Sequence, residues 1–150
     1  EVELVLLIGK TIKDATKEEA TEAISAYSVG LDMTLRDIQN QMREKGDPWT
    51  LAKCFDNSAV LTEFVSNEEY KLTLDETIKL SVNGVERQNS KLNKMIFKPV
   101  EIVEYISKKM TLEEGDLIFT GTPEGVGKVV PGDIIEASIE NIAELNTKII

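Results

Sequence analysis

The opening segment Glu1–Ile8, with the sequence EVELVLLI, constrains the fold of this chain more than any other feature. Alternate side chains of a β-strand point to opposite faces, so one face of this segment is wholly apolar. The other face begins with Glu1 and Glu3 and is apolar from Val5 onward. The segment therefore predicts a strand packed on the core, with two carboxylates at the edge of that core.

Glu1, Glu3 and Asp32 are candidate ligands for a metal ion. A rise of ~3.3 Å per residue separates the first two Cβ atoms by roughly 6–7 Å, close enough for both carboxylates to bind one ion. Asp32 follows an apolar stretch and precedes a predicted helix. Oxygen ligands without nitrogen or sulfur favour Mg²⁺, Mn²⁺ or Ca²⁺. The alternatives are a solvated strand end for the glutamates and an ordinary helix-start aspartate for Asp32.

Lys53 lies in the apolar sequence Leu-Ala-Lys-Cys-Phe, where an ammonium needs an anionic partner such as a metal-site or substrate carboxylate. The alternative is a surface lysine whose alkyl stem covers apolar groups. The neighbouring Cys54 is predicted to fill the core, since no histidine is present to activate it. Gly121–Gly127 matches no phosphate-loop pattern, but its backbone N–H groups and the Thr122 hydroxyl could bind a carboxylate.

The remaining pattern predicts a β-rich α+β domain spanning residues 1–150, a length that suits one domain. Helices are predicted from the Thr16–Glu19 capping box through Tyr27, from Leu35 to Lys45 with Thr34 as its cap, and over Pro99–Met110. Strands are predicted at Thr77–Val82, Val85–Gln88, Leu117–Thr120, Ile134–Ile139 and Thr147–Ile150, with an Asn83-Gly84 hairpin turn. Trp49–Val65 is predicted as loop with short strands, and Asn89–Lys94 as a mobile segment.

Composition excludes several classes of partner. Seventeen Lys and Arg against 27 Asp and Glu give a formal charge of −10, which argues against nucleic acid and anionic membrane surfaces. No apolar run approaches the ~18–20 residues that span a bilayer, and no signal peptide opens the chain. The single cysteine cannot form an internal disulfide, so we expect a cytoplasmic location.

The chain contains no histidine. It therefore supplies no histidine general base, nucleophile-activating imidazole or histidine metal ligand. It also lacks an initiator methionine and opens inside a predicted strand, which predicts that an upstream segment is missing.

In order, these motifs resemble the fumarylacetoacetate hydrolase family across nearly all 150 residues. The matching segments are Glu1–Leu4, Gly30–Gln39, Lys45–Asn57, Val82–Gly84, Met95–Phe97, Leu112–Asp116 and Thr120–Gly127. Leu-Asp-Met-Thr and Pro-Trp-Thr-Leu-Ala-Lys are most similar to the acylpyruvase and oxaloacetate decarboxylase branch. The resemblance implies a mixed β-roll core of the family's C-terminal-domain type with peripheral helices, and a homodimer.

The resemblance also implies roles for particular residues. Glu1, Glu3 and Asp32 match the family's ligands for Mg²⁺ or Mn²⁺, with Ca²⁺ as an alternative. The residues that match catalytic or substrate-binding positions are Lys53, Arg36 and Gln39, together with Thr122 at the substrate carboxylate.

The implied activity is metal-dependent hydrolysis of a carbon–carbon bond in acylpyruvate-type 2,4-dioxo acids, with an enolate as leaving group. Oxaloacetate decarboxylation and 2-oxo acid isomerisation use the same enolate and stay open, as does a non-catalytic cation-binding relative. The family's lid segment, whose His-Glu dyad activates water, precedes the paired glutamates and is absent from this sequence. Ser90–Lys94 also lacks the Thr-Ser or Thr-Asn pair expected before Met95.

Overall fold

The computed structural model describes residues 1–150 and is built from two sheets with four short helices at their periphery. In chain order the elements are β1 (Val2–Ile8), α1 (Lys17–Ala23), β2 (Ile24–Asp32), α2 (Arg36–Lys45), α3 (Thr50–Lys53), β3 (Ala59–Leu61), β4 (Val65–Ser66), β5 (Thr77–Val82), β6 (Val85–Lys91), α4 (Pro99–Ser107), β7 (Leu117–Phe119), β8 (Ile134–Ile139) and β9 (Ala143–Lys148). This confirms the predicted sheet-rich fold with few helices.

The first sheet is organised around β1, which is buried on both faces. β1 pairs antiparallel with β2 along its whole length and with β7 on its other side. The short strands β3 and β4 pair with the far edge of β2. Because β1 is an interior strand, its alternate side chains pack on opposite faces of the sheet. This agrees with the uninterrupted apolar sequence from Leu4 to Ile8.

The second sheet has the strand order β6-β5-β8-β9, and all its pairs are antiparallel. Its inward residues alternate with exposed ones, as in Ile78, Leu80 and Val82 of β5. These side chains join Leu4 and Leu6 of β1 in one hydrophobic core between the sheets. The core therefore anchors the start of β1, where the candidate ligands Glu1 and Glu3 lie.

The Thr16–Glu19 capping box is confirmed, since the Thr16 hydroxyl accepts from the Glu19 N–H at 3.2 Å and Glu19 Oε2 accepts from the Thr16 N–H at 2.8 Å. The prediction that this helix continues through Tyr27 is wrong, because α1 ends at Ala23. Ile24–Asp32 instead pairs with β1 and is almost entirely buried. Tertiary pairing with a buried strand here overrides helical spacing.

Two other boundary predictions also differ from the structure. α2 begins at Arg36 without the predicted Thr34 cap, although it ends at Lys45 with Gly46 in the left-handed conformation as expected. Asn89–Lys94, predicted as a mobile segment, has regular structure: Asn89–Lys91 belong to β6, and a 3-10 turn follows over Leu92–Lys94. Leu92 is buried, and this apolar anchor orders the segment.

Three further differences concern ends and burial. α4 ends at Ser107 rather than Met110. The last strand spans Ala143–Lys148 rather than the predicted Thr147–Ile150. Cys54 is exposed rather than part of the core, because it follows the short helix α3 on the surface. None of the helices is long and apolar enough to cross a membrane.

Gly30 provides a test of the close packing of β2 against its neighbouring strands. It pairs with Glu3, and a Cβ placed on it would lie 2.6 Å from Val5 Cγ2 and 2.8 Å from Phe119 Cε1. We expect Gly30→Ala to lower the free energy of unfolding by roughly 1–3 kcal/mol, because overpacking forces neighbouring side chains from their rotamers. Denaturant unfolding measures this difference.

Gly127→Ala is the matched control, because nothing lies within 4 Å of a Cβ at Gly127. It should unfold at nearly the same denaturant concentration as the unmodified chain. Equal destabilisation by the two substitutions would mean that close packing at Gly30 is not the cause.

Candidate metal centre

The antiparallel pairing of β1 and β2 brings the three candidate ligands together. The start of β1 lies beside the end of β2, with Glu3 opposite Gly30 and the Asp32 N–H donating to the Glu1 carbonyl at 2.9 Å. Glu1, Glu3 and Asp32 each offer a carboxylate oxygen, and these oxygens lie within 4.8 Å of one another. The two distant sequence motifs thus form one acidic cluster at an edge of the core.

Lys53 is the principal counter-charge in this cluster. Its ammonium donates to Glu1 Oε2 at 2.7 Å, to Asp32 Oδ2 at 2.5 Å and to the Thr34 hydroxyl at 2.8 Å. Burial lowers the pKa of the ammonium, but its hydrogen bonds to Asp32 and Glu1 outweigh burial and raise it above the ordinary value. Lys53 is therefore a charged, partnered group of the site and not a solvated surface lysine.

α2 directs two polar side chains toward the cluster. The Arg36 guanidinium donates to Glu1 and also to Gln39 Oε1, the latter at 2.6 Å. Gln39 is 7% exposed, whereas the nearby apolar residues Leu35 and Ile38 are 40% and 38% exposed. The side of α2 that carries Arg36 and Gln39 therefore faces the site, opposite to the orientation expected of a helix that packs its apolar side on a core.

The two carboxylates of β1 differ in their surroundings. Burial raises the pKa of Glu1, but hydrogen bonds from Lys53 and Arg36 outweigh it, so the pKa lies below the usual value. Burial likewise raises the pKa of Glu3, and the charges of Asp32 and Glu1 raise it further against the opposing Gly121 N–H bond. Glu3 is 4% exposed and forms no ion pair with a basic side chain.

Three carboxylates face only two basic side chains, Lys53 and Arg36, and the carboxylate of Glu3 is left with a backbone N–H at 2.7 Å as its polar partner. A buried carboxylate without a cation is costly, and a divalent ion would relieve that cost. The donor set is oxygen only, which suits Mg²⁺ or Mn²⁺. Glu1, Glu3 and Asp32 therefore fit a hard divalent cation.

Thr122 lies in the glycine-rich loop after β7, and this loop contacts the cluster. Gly121 donates its N–H to Glu3, and the Thr120 hydroxyl donates to the Leu4 carbonyl at 2.8 Å. Thr122 also lines a cavity of about 580 Å³ together with Met95 and Phe97. The loop thus places a candidate carboxylate-binding hydroxyl beside the acidic cluster, with open space next to it.

Two residues of this region were missed in the sequence. Thr34 was assigned to a helix cap, but its hydroxyl accepts from Lys53. Gln88 was assigned only to a hairpin strand, but its buried amide donates to Thr122 Oγ1 at 2.8 Å. The motif Asp-Met-Thr could have pointed to Thr34, whereas no local signal distinguishes Gln88 from a solvent-facing strand residue.

An acidic, oxygen-only centre beside a glycine-rich loop, carried on two packed sheets, defines a cation-binding class of α+β domain. The chain belongs to the fumarylacetoacetate (FAA) hydrolase C-terminal family, which it matches over residues 1–150. Among its relatives is oxaloacetate tautomerase YcgM of Escherichia coli K12, 45% identical over 141 residues, which cover 93% of this chain and 64% of that protein.

Two further relatives extend this comparison. The mitochondrial oxaloacetate tautomerase of Rattus norvegicus is 43% identical over 149 residues, covering 99% of this chain and 67% of that protein. A crystal structure of fumarylpyruvate hydrolase from Pseudomonas aeruginosa, in complex with Mn²⁺ and pyruvate, superposes with a TM-score of 0.97 at 41% identity, covering 100% of this chain and 64% of that one. The chain therefore spans about two thirds of the length of these relatives.

The role of Lys53 as counter-charge leads to a prediction. Lys53→Met leaves Glu1 and Asp32 without their shared ammonium, so we expect the free energy of unfolding of the metal-free protein to fall by roughly 2–4 kcal/mol. Added Mn²⁺ should then raise the thermal midpoint more in the variant than in the unmodified protein, because a bound cation replaces the lost charge. Thermal unfolding with and without Mn²⁺ measures both effects.

Lys10→Met is the matched control, since it removes an exposed pair between Lys10 and Glu22. It should change neither the stability nor the response to Mn²⁺ appreciably. The same Mn²⁺ response in Lys53→Met and the unmodified protein would contradict the assignment of Lys53 to the acidic cluster.

Proposed function

We propose that this domain forms the cation-dependent active site of an enzyme that acts on 2-oxo acids through an enolate. The observation that carries the proposal is the cluster of Glu1, Glu3 and Asp32, whose oxygens lie within 4.8 Å of one another. Three protein ligands leave coordination positions for substrate. The Mn²⁺ and pyruvate in the fumarylpyruvate hydrolase relative support the same assignment.

Different residues of the chain would bind the substrate and stabilise its charge. A divalent cation bound here would supply Lewis-acid stabilisation of negative charge developing on a 2-oxo oxygen. Lys53 and Thr122 would hold the substrate carboxylate, and Arg36 and Gln39 would orient its polar groups. The N–H of Gly121 holds the Glu3 carboxylate in place while these groups act.

The first candidate reaction is hydrolysis of an acylpyruvate. Water adds to the distal carbonyl, the carbon–carbon bond breaks, and its electron pair leaves as the enolate of pyruvate, which a proton converts to pyruvate. The acyl group departs as a carboxylic acid. Residues 1–150 contain no histidine, so a water-activating imidazole would have to come from outside this segment.

The second candidate is tautomerisation of oxaloacetate, and the names of two relatives at 43–45% identity favour it. This reaction only moves a proton between carbon and oxygen through the enolate of oxaloacetate itself, so it needs no activated water. Decarboxylation of oxaloacetate instead breaks the bond to the terminal carboxylate, releases carbon dioxide and leaves the enolate of pyruvate, which a proton converts to pyruvate. Both reactions of oxaloacetate avoid the activated water for which this segment has no histidine, and the names of the relatives favour tautomerisation of the two.

Calorimetric titration of Mg²⁺ and Mn²⁺, with and without oxalate, tests the centre itself. Oxalate resembles the enolate of a 2-oxo acid, so we expect it to tighten metal binding. Asp32→Ala should weaken metal binding by at least about tenfold, the loss typical of disturbing even an outer partner of a metal site. Asp37→Ala, an exposed aspartate in the first turn of α2, should leave binding unchanged.

Folded protein that binds neither metal would contradict the proposed function and favour a non-catalytic relative. Metal binding of unchanged affinity in Asp32→Ala would show that the metal binds elsewhere than at the β1–β2 edge.

Product analysis with Mn²⁺ distinguishes the reactions. We expect faster loss of the enol absorbance of oxaloacetate, without pyruvate, because proton transfer is the only step required. Pyruvate released from acetylpyruvate would identify the hydrolase instead, and pyruvate released from oxaloacetate the decarboxylase. Asp32→Ala should abolish whichever activity is found, while Asp37→Ala should retain it.

The homodimer and the cytoplasmic location stay predictions. The exposure of Ile96 and Phe97, at 89% and 67%, supports a surface that a second copy could cover. Sedimentation of the purified protein would decide between one copy and two.

A further inference from the structure

Gln88 is the only buried residue of β6 and is 2% exposed. β6 lies at the edge of the second sheet, and its other side chains are exposed or half-buried. A fully buried amide in such a strand must satisfy both its donor and its acceptor groups. Its hydrogen-bond partners lie on β1 and on the glycine-rich loop, so Gln88 joins these two parts of the candidate site.

A β-bulge turns Gln88 inward. From the Asn83-Gly84 turn, Val82 pairs with Val85 and Ser81 with Glu86, but Leu80 pairs with Gln88 rather than Arg87. Arg87 is therefore the extra residue of the bulge. Without it, Gln88 would lie opposite Lys79 on the solvent face, because a shift of one residue exchanges the faces of a strand.

The orientation of the Gln88 amide is determined by two backbone groups of fixed polarity. Its Oε1 accepts from the Val2 N–H at 3.1 Å, and its Nε2 donates to the Pro123 carbonyl at 2.8 Å. The reverse amide orientation would face donor with donor and acceptor with acceptor. Thr122 Oγ1, 2.8 Å from the same Nε2, must therefore accept a hydrogen bond from Gln88.

A hydroxyl has a single proton to donate. Since Thr122 accepts from Gln88, its proton cannot be directed at Gln88 and is free for another acceptor. Val2, at the other end of the amide, lies between the ligand candidates Glu1 and Glu3. One buried side chain thus links the metal-ligand strand to the loop threonine and sets the direction of that threonine's hydrogen bond.

A second contact holds the same loop against the bulge. A Cβ placed on Gly125 would lie 1.9 Å from the Arg87 carbonyl oxygen, and Gly125 has a positive φ of 99°. The glycine loop therefore lies directly on the backbone that presents Gln88. The position of Thr122 relative to β6 is fixed at two points.

We propose that Gln88 is a positioning residue that makes the Thr122 hydroxyl a hydrogen-bond donor to the carboxylate of a 2-oxo acid. The inference rests on the proposed function, since it needs an anionic ligand at Thr122. Gln88 itself does not touch the ligand; it acts through Thr122 and through the main chain of β1.

Oxalate binding to the Mn²⁺-loaded protein tests this role by calorimetry. Gln88→Met keeps the length of the side chain but removes its amide, and Thr122→Val removes the hydroxyl. Each should weaken oxalate binding roughly tenfold, as expected for one lost hydrogen bond to a charged group. Because both substitutions remove the same interaction, the double variant should bind oxalate no more weakly than Thr122→Val alone.

Three measurements separate positioning from a merely structural role. Mn²⁺ affinity without oxalate should stay within about threefold in Gln88→Met, Thr122→Ser should retain oxalate affinity, and the exposed Gln41→Met should behave as the unmodified protein. If Gln88→Met does not fold, Gln88→Glu serves instead. Its carboxylate would accept the Thr122 proton and should also weaken oxalate binding.

Unchanged oxalate affinity in Gln88→Met, or additive losses in the double variant, would overturn this inference and leave the proposed function intact. Failure of oxalate to bind the unmodified Mn²⁺-loaded protein would overturn the proposed function, and this inference with it.

Discussion

The pairing of β1 with β2 is the interaction on which the rest of the structure depends. It places a strand buried on both faces beside the strand that ends at Asp32. The same register that encloses Leu4 and Leu6 in the core brings Glu1 next to Asp32 at the open end of the pair. Core and site are thus consequences of one alignment, because shifting either strand by one residue would turn each of its side chains to the opposite face of the sheet.

That alignment concentrates like charge at the edge of the core. Carboxylate oxygens of these residues lie within 4.8 Å of one another, and two unit charges at that separation repel by roughly 3–4 kcal/mol at an effective dielectric constant of about 20. Lys53 and Arg36 offset part of this repulsion through their contacts with Glu1 and Asp32. Glu3 remains buried with only a backbone N–H to satisfy it, and this imbalance selects for a bound cation rather than for a closed network of salt bridges.

Much of the fold and the cluster could be predicted from the sequence, because the signals are local or strongly periodic. The alternating β1, the Asn83-Gly84 hairpin and the Thr16–Glu19 capping box each carry their own physical reason. The end of α1 could not be predicted in this way, since Ile24 and Tyr27 continue a helical spacing and only their pairing with β1 makes them strand. Thr34 was misassigned because its hydroxyl bonds to Lys53, a long-range partner.

Gln88 marks the limit of local reasoning most clearly. Counting outward from the hairpin turn puts it on the solvent face, and only the bulge at Arg87 reverses that assignment. The reversal matters because the acidic cluster belongs to the first sheet, while Gln88 belongs to the second. The glycine loop leaves β7 in the first sheet and is then held by Gln88 in the second. Apolar packing between sheets fixes their separation but not the direction of a hydroxyl proton. The buried Gln88 amide, whose hydrogen-bond partners have fixed polarity, fixes both the separation and the direction of that proton. The loop threonine and the carboxylates therefore keep one geometry.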